Sequence, residues 1–154
     1  MIGIAAVGFF IAEALIAGDT PTIDTSPQTA IAFWKDNLRS QELSSSFMGL
    51  SAVAFVWFGA SLRSALRWIG DGGDRLGSIA HAGTMLIAAG LSIYASVGLA
   101  VVHTVGDVPT SVTQSLMILS GEDLYLPLAV GTATMVLATA VASMRYGVLP
   151  RWLG

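Results

Sequence analysis

A carboxylate inside an apolar run is the feature of this sequence with the clearest chemical potential. Glu13 interrupts the stretch Met1–Ala17. An ionisable group at membrane depth is costly, so its presence points to binding or moving charge. It lies four residues before the end of the run, about 6 Å along a helix axis, within reach of an interface. His103, at the end of a later apolar run, and the connecting-segment acids Asp19, Asp107, Glu122 and Asp123 would share that edge. Carboxylates with an imidazole can ligate a divalent cation. No HExxH or comparable ligand spacing supports such a site here, so neither a metal nor a cofactor is expected. The simpler reading makes Glu13 a hydrogen-bonded interfacial carboxylate. Asp123 then becomes an acid favoured at a helix start by the macrodipole.

The remaining reactive side chains fall short of a catalytic pattern. His81, near the other end of its run, reads as a structural histidine paired with a backbone carbonyl or with Asp71 or Asp74. Gly70-Asp71-Gly72-Gly73-Asp74 has the glycines of a phosphate loop without its lysine, and its two aspartates would repel phosphate, so a flexible turn is expected. Ser44, Ser45 and Ser46 have no neighbouring general base, and there is no Gly-x-Ser-x-Gly elbow. Cysteine is absent, which excludes thiolate chemistry and disulfides. No enzyme is expected.

The elements that would position these groups follow from hydropathy. Of 154 residues, 54% are apolar and 11% charged, less than half the usual charged share of roughly a quarter. The charges sit between long apolar runs, which is the pattern of a membrane protein. Four spans are predicted, at 1–17, 43–62, 76–102 and 124–144, in a single all-α transmembrane domain covering 1–154. A cleaved leader is the rival reading of the first run. Met1-Ile2-Gly3 carries no basic residue, which favours a retained helix. Arg63, Arg67, Arg75, Arg145 and Arg151 fall on one side, Lys35 and Arg39 on the other. By the positive-inside rule both termini are cytoplasmic. Trp57, Trp68, Trp152 and Tyr146 lie near the same end, where an aromatic belt is expected.

Two amphipathic segments are predicted in the outer loops, at 27–39 and 109–119. Ser26 can cap the first, with Pro27 at its first position, and Ile31, Trp34 and Leu38 would form its apolar face. Val112, Leu116 and Leu119 repeat that spacing in the second. Gly18-Asp19-Thr20-Pro21-Thr22 and Gly106-Asp107-Val108-Pro109-Thr110 open the two loops alike. That match fits a duplicated helix–loop–helix unit or ordinary turn chemistry. Inside the bilayer, the small residues Ala88, Ser92, Ser96 and Ala100, and Thr134, Ala138 and Ala142, predict that spans three and four meet through these stripes. Bulky Phe47, Phe55, Trp57 and Phe58 predict that much of span two faces lipid.

Ala17-Gly18-Asp19-Thr20-Pro21-Thr22-Ile23-Asp24-Thr25, Phe33-Trp34-Lys35-Asp36-Asn37 and the closing Leu149-Pro150-Arg151-Trp152-Leu153-Gly154 resemble an uncharacterised family of actinobacterial multi-pass integral membrane proteins. The resemblance runs along the whole chain. It implies location and fold but no site residues. Members carry basic residues before the first helix and two more helices after the Pro-Arg-Trp-Leu-Gly segment, so by this resemblance the chain looks shortened at both ends. The expectation is a small plasma-membrane protein with a binding or membrane-organising role. Its partners would be the lipid bilayer and further helices or another membrane protein, and not nucleic acid. The alternative is transport or ion handling through Glu13 and the outer acidic and histidine residues.

Overall fold

Apolar runs punctuated by glycine, proline and charge fix where the helices start and stop. The computed structural model describes residues 2–18, 20–21, 25–120 and 125–147. It contains α1 (Ile2–Ala17), α2 (Pro27–Asp36), α3 (Leu38–Arg67), α4 (Asp71–Thr104), α5 (Thr110–Ser120) and α6 (Tyr125–Tyr146), and no strand among the described residues. Three of them, α3, α4 and α6, are long and apolar enough to cross a membrane, and α1 is an apolar helix of 16 residues beside them. Helices form at both segments predicted to be amphipathic, as α2, which ends at Asp36, and α5. Arg145 and Tyr146 close α6, whereas Glu122, Asp123, Arg151 and Trp152 lie outside the described residues.

Local chemistry explains the boundaries. The Ser26 hydroxyl accepts from the Thr29 backbone N–H at 3.3 Å, and Pro27 opens α2, as expected of a capped start. Asn37 then breaks helical geometry for one residue, its amide side chain donating to the Phe33 carbonyl at 2.9 Å. Gly18 (φ +63°) follows α1 and Gly106 (φ +99°) follows α4, both in the left-handed region that favours glycine. The two matched loop openings therefore share their glycine conformation, and each is followed by a short helix and a long one.

The long helices pack antiparallel in chain order, α1 on α3, α3 on α4 and α4 on α6. Phe9 meets Phe47 with ring centroids 6.1 Å apart, and a Cβ on Gly3 would lie 3.0 Å from Phe58, which fixes the α1–α3 register. One core cluster joins α3 to α4 around Met48, Ala52, Ile87 and Leu91; a second joins Leu66 and Ala80 to Ala138 and Ala142.

Two expectations are corrected here. Helix α3 is the partner of both α1 and α4, and it still turns much of its surface outward as expected, with Leu43, Leu50, Val53 and Trp57 exposed, while Gln41, Ser44, Ser45, Met48, Ala52 and Gly59 supply the inward stripe. Spans three and four do meet, and Ala138 and Ala142 are buried as expected, but Ser92 and Ser96 point away from the contact. The closest approach uses glycine instead. A Cβ on Gly83 would lie 2.6 Å from the Met135 nitrogen and 2.7 Å from the Gly131 carbonyl oxygen. Ser92 and Ser96 return their hydroxyls to the Ala88 and Ser92 carbonyls, each at 2.8 Å, which lets a polar side chain face away from the protein. Finally, 71–74 is not a turn but the first turn of α4. Its glycines serve contact: a Cβ on Gly73 would overlap the Leu66 carbonyl oxygen, and one on Gly72 the Tyr146 hydroxyl.

The two short helices are seated on this frame. Ala30 and Trp34 of α2 are buried, as is Thr113 of α5. Ile31 is half-buried and Leu38 exposed. The buried face of α2 thus runs Ala30–Trp34, four residues apart, near one helical repeat.

Candidate functional site

Helix α1 is apolar on every side, so a single polar residue decides which side has a defined partner. The register set by Phe9 and Phe47 brings Glu13 against Ser44 of α3. Glu13 is only 7% exposed, and the Ser44 hydroxyl donates to its Oε1 at 3.1 Å. One turn further out, Gln41 Nε2 donates to the Ala17 carbonyl at 3.0 Å. That carbonyl belongs to the last turn of α1, where no intrahelical donor remains. Gln41 therefore closes the helix end while Ser44 holds the carboxylate.

The same face of α3 carries polarity towards α4. Ser45 Oγ sits where a Cβ on Gly98 would approach to 2.5 Å, and Ser51 is fully buried. About 20 Å deeper along α3, at 1.5 Å per residue, Gly59 faces His81 and Thr84 of α4. A Cβ there would overlap Thr84 Oγ1 and lie 2.8 Å from His81 Nδ1. The Thr84 hydroxyl donates to the His81 carbonyl at 2.7 Å, and His81 Nδ1 is buried without a hydrogen-bond partner. The anticipated pairing of His81 with Asp74 is not what the structure shows. Asp74 engages Arg67 instead, Oδ1 to Nε at 3.4 Å, and the Asp71 side chain lies outside the described residues.

The outer residues named from sequence disperse. Glu13 is inside the α1–α3 seam, His103 is exposed in the last turn of α4, and Asp107 is exposed in the turn after it. Asp19, Glu122 and Asp123 lie outside the described residues. Among the described residues, no three His, Asp or Glu side chains gather as a metal-binding group. What assembles is a carboxylate with a hydroxyl donor inside a helix pair, an arrangement able to hold a proton or a small cation, or to lock two helices in register.

Gln41, Ser44, Ser45 and Ser51 were not anticipated as part of the site. Their signal was available as helical spacing rather than as motif: polar residues at 41, 44, 45 and 51 share a face with Met48 and Ala52. The serines of that face are packing and hydrogen-bonding groups rather than nucleophiles. No family model, curated protein or solved structure matches the chain.

Proposed function

We propose that this chain is a four-pass plasma-membrane protein with cytoplasmic termini and a binding or membrane-organising role. Three apolar helices long enough to cross a bilayer support the membrane placement. Helix α1, antiparallel to α3 along its length, supplies the fourth pass by tilting little and drawing the bilayer thinner at its ends. The charge pattern supports the orientation, with Arg63, Arg67, Arg75 and Arg145 at one end of the bundle.

The observation that carries the binding reading is the formed cap at the other end. Helices α2 and α5 touch each other and the outer part of α4. They are held by Trp34 and Thr113 and leave Gln28, Lys35, Asp36, Ser111, Gln114 and Ser115 exposed. An ordered polar surface on a membrane anchor suits a protein partner. A photoreactive residue at Gln28 or Gln114 in native membranes should crosslink to protein, while one at Val53, exposed on α3, should reach lipid. Lipid adducts at all three positions would count against the cap as a binding surface. For topology, Gln28→Cys should react with an impermeant thiol reagent in intact cells and Trp68→Cys should not; the opposite pattern would invert the orientation.

Ion handling is the second reading, favoured by the burial of Glu13 against Ser44. Reconstituted wild type and Glu13→Gln should both show no proton or divalent-cation flux under an imposed gradient. A wild-type flux abolished by Glu13→Gln would make ion handling the better reading.

A further inference from the structure

The two ends of the bundle carry opposite charge. Arg63, Arg67, Arg75 and Arg145 belong to the end where α3 finishes, α4 starts and α6 finishes. All four are exposed. Asp74 is engaged by Arg67, and among the described residues no carboxylate pairs with Arg75 or Arg145. Trp68, 91% exposed, and Trp57, 65% exposed, mark the same end as one that meets an interface.

Two of these arginines are brought together by the α4–α6 register. Gly72, Gly83 and Gly90 of α4 face Tyr146, Gly131 and Pro127 of α6. At 100° per residue, Arg75 stands roughly 60–80° off the line of those glycines, and Arg145 roughly 40–60° off the line through Gly131 and its neighbours. The offsets have the same sense in helices that run antiparallel, which places both arginines on one flank of the seam. Because Tyr146 reaches Gly72, the two lie within about one helical turn of each other along the axis. Helix α3 packs on the opposite flank of α4, through Gly73 and Gly77 against Leu66 and Arg63, so the arginine flank is open. The Tyr146 hydroxyl lies beside it over Gly72.

We propose that this flank, with Arg75 and Arg145 as its charged walls and Tyr146 at its floor, binds the phosphate of an anionic phospholipid. Two guanidinium groups at headgroup depth present planar donor pairs suited to phosphate oxygens. Basic pockets between membrane helices bind anionic headgroups by this chemistry. The inference deepens the membrane-organising reading and rests on its membrane placement. It is independent of the outer cap, so either can fail while the other stands.

The test uses the full chain in detergent micelles doped with phosphatidylglycerol or phosphatidylcholine of identical acyl chains. Bound lipid is counted by native mass spectrometry. Phosphatidylglycerol should be retained over phosphatidylcholine. The double variant Arg75→Gln/Arg145→Gln should lose about thirtyfold in affinity, at roughly fivefold for each arginine near an anionic headgroup. Lys35→Gln/Arg39→Gln, the same charge change at the opposite end, should lose nothing, and inorganic phosphate should not displace the lipid. Arg75→Lys/Arg145→Lys keeps the charge, guards against misfolding of the glutamine variant, and should retain an intermediate affinity. Equal retention of both lipids, equal loss in the two glutamine variants, full affinity in Arg75→Gln/Arg145→Gln, or displacement by inorganic phosphate alone would overturn the proposal.

Discussion

The α4–α6 seam and the α1–α3 seam solve the same problem with different materials. At the first, Gly83 and Gly131 bring two backbones to within the space of a single methyl group. At the second, a buried carboxylate meets a serine hydroxyl, a glutamine closes a helix end, and two phenylalanine rings tilt together at 6.1 Å. In a bilayer the lipid tails are as apolar as leucine, so association rests on close van der Waals packing and on interhelical hydrogen bonds. One seam relies on the first alone and the other adds the second to it. A seam of touching backbones tolerates no added volume, whereas a seam of side chains can adjust to it.

The sharpest way to break this contrast is to add volume where backbones touch. Gly83→Leu should cost about 3 kcal/mol, the upper end of the usual overpacking range, because the obstacles are the Met135 nitrogen and the Gly131 carbonyl rather than movable side chains. The measurement is thermal or denaturant unfolding in detergent. A loss under 1 kcal/mol would mean that α6 swings away freely and that the seam is not a fixed crossing. Gly59→Ala, on the α3–α4 contact, should cost less, about 1–2 kcal/mol. There the added methyl meets Thr84 Oγ1, Thr84 Cβ and His81 Nδ1; the hydroxyl and imidazole can turn, and only a small shift between the helices is needed to clear the Thr84 Cβ. Gly59→Ala as costly as Gly83→Leu would show that the His81–Thr84 pair is held as rigidly as backbone.

The polar seam should respond more weakly and more selectively. Interhelical hydrogen bonds in membranes average about 0.6 kcal/mol, so Ser44→Ala should lose about that amount and Glu13→Gln less, since glutamine can accept from Ser44 in place of the carboxylate. Glu13→Ala combined with Ser44→Ala should then cost little more than the larger single change, the signature of one shared interaction. Fully additive losses would mean that the 3.1 Å contact contributes nothing and that Glu13 is held by other groups.

Much of the architecture was readable from residue order. Ser26-Pro27 announced α2, Gly18 and Gly106 announced helix ends, and the apolar runs announced the long helices. The partners of those helices were less legible. Small residues at four-residue spacing mark close packing only when they face another helix, and α4 carries small residues around most of its circumference. Ala88 and Ser92 satisfy the pattern, yet the register of α6 selects Gly83, whose neighbours four residues away are Ile79 and Ile87. Likewise Glu13 could be singled out by type alone. Ser44 became its partner only because Phe9 and Phe47 set the α1–α3 register, a relation between positions 31 residues apart. The polar stripe of α3 was masked by the aromatic residues interleaved with it, of which Phe55 packs against the same Met48–Ala52 cluster.

Ser96 isolates that ambiguity in one substitution. Its position in the repeat Ala88, Ser92, Ser96, Ala100 argues for a packed contact, and leucine there would then overpack by 1–3 kcal/mol, or about that range. In the structure Ser96 is exposed, and its hydroxyl is satisfied by the Ser92 carbonyl at 2.8 Å within its own helix. Leucine would add apolar surface facing outward and remove a hydroxyl that no other helix uses. Ser96→Leu should therefore change unfolding by less than about 0.5 kcal/mol, as substitutions away from packed features do. Ala138→Leu, on the buried face of α6, should approach the cost of Gly83→Leu. Measured together, the two changes separate a small residue that is packed from one that is merely small. A loss at Ser96 as large as that at Ala138 would require another helix on the open face of α4, supplied by a second copy or by another membrane protein.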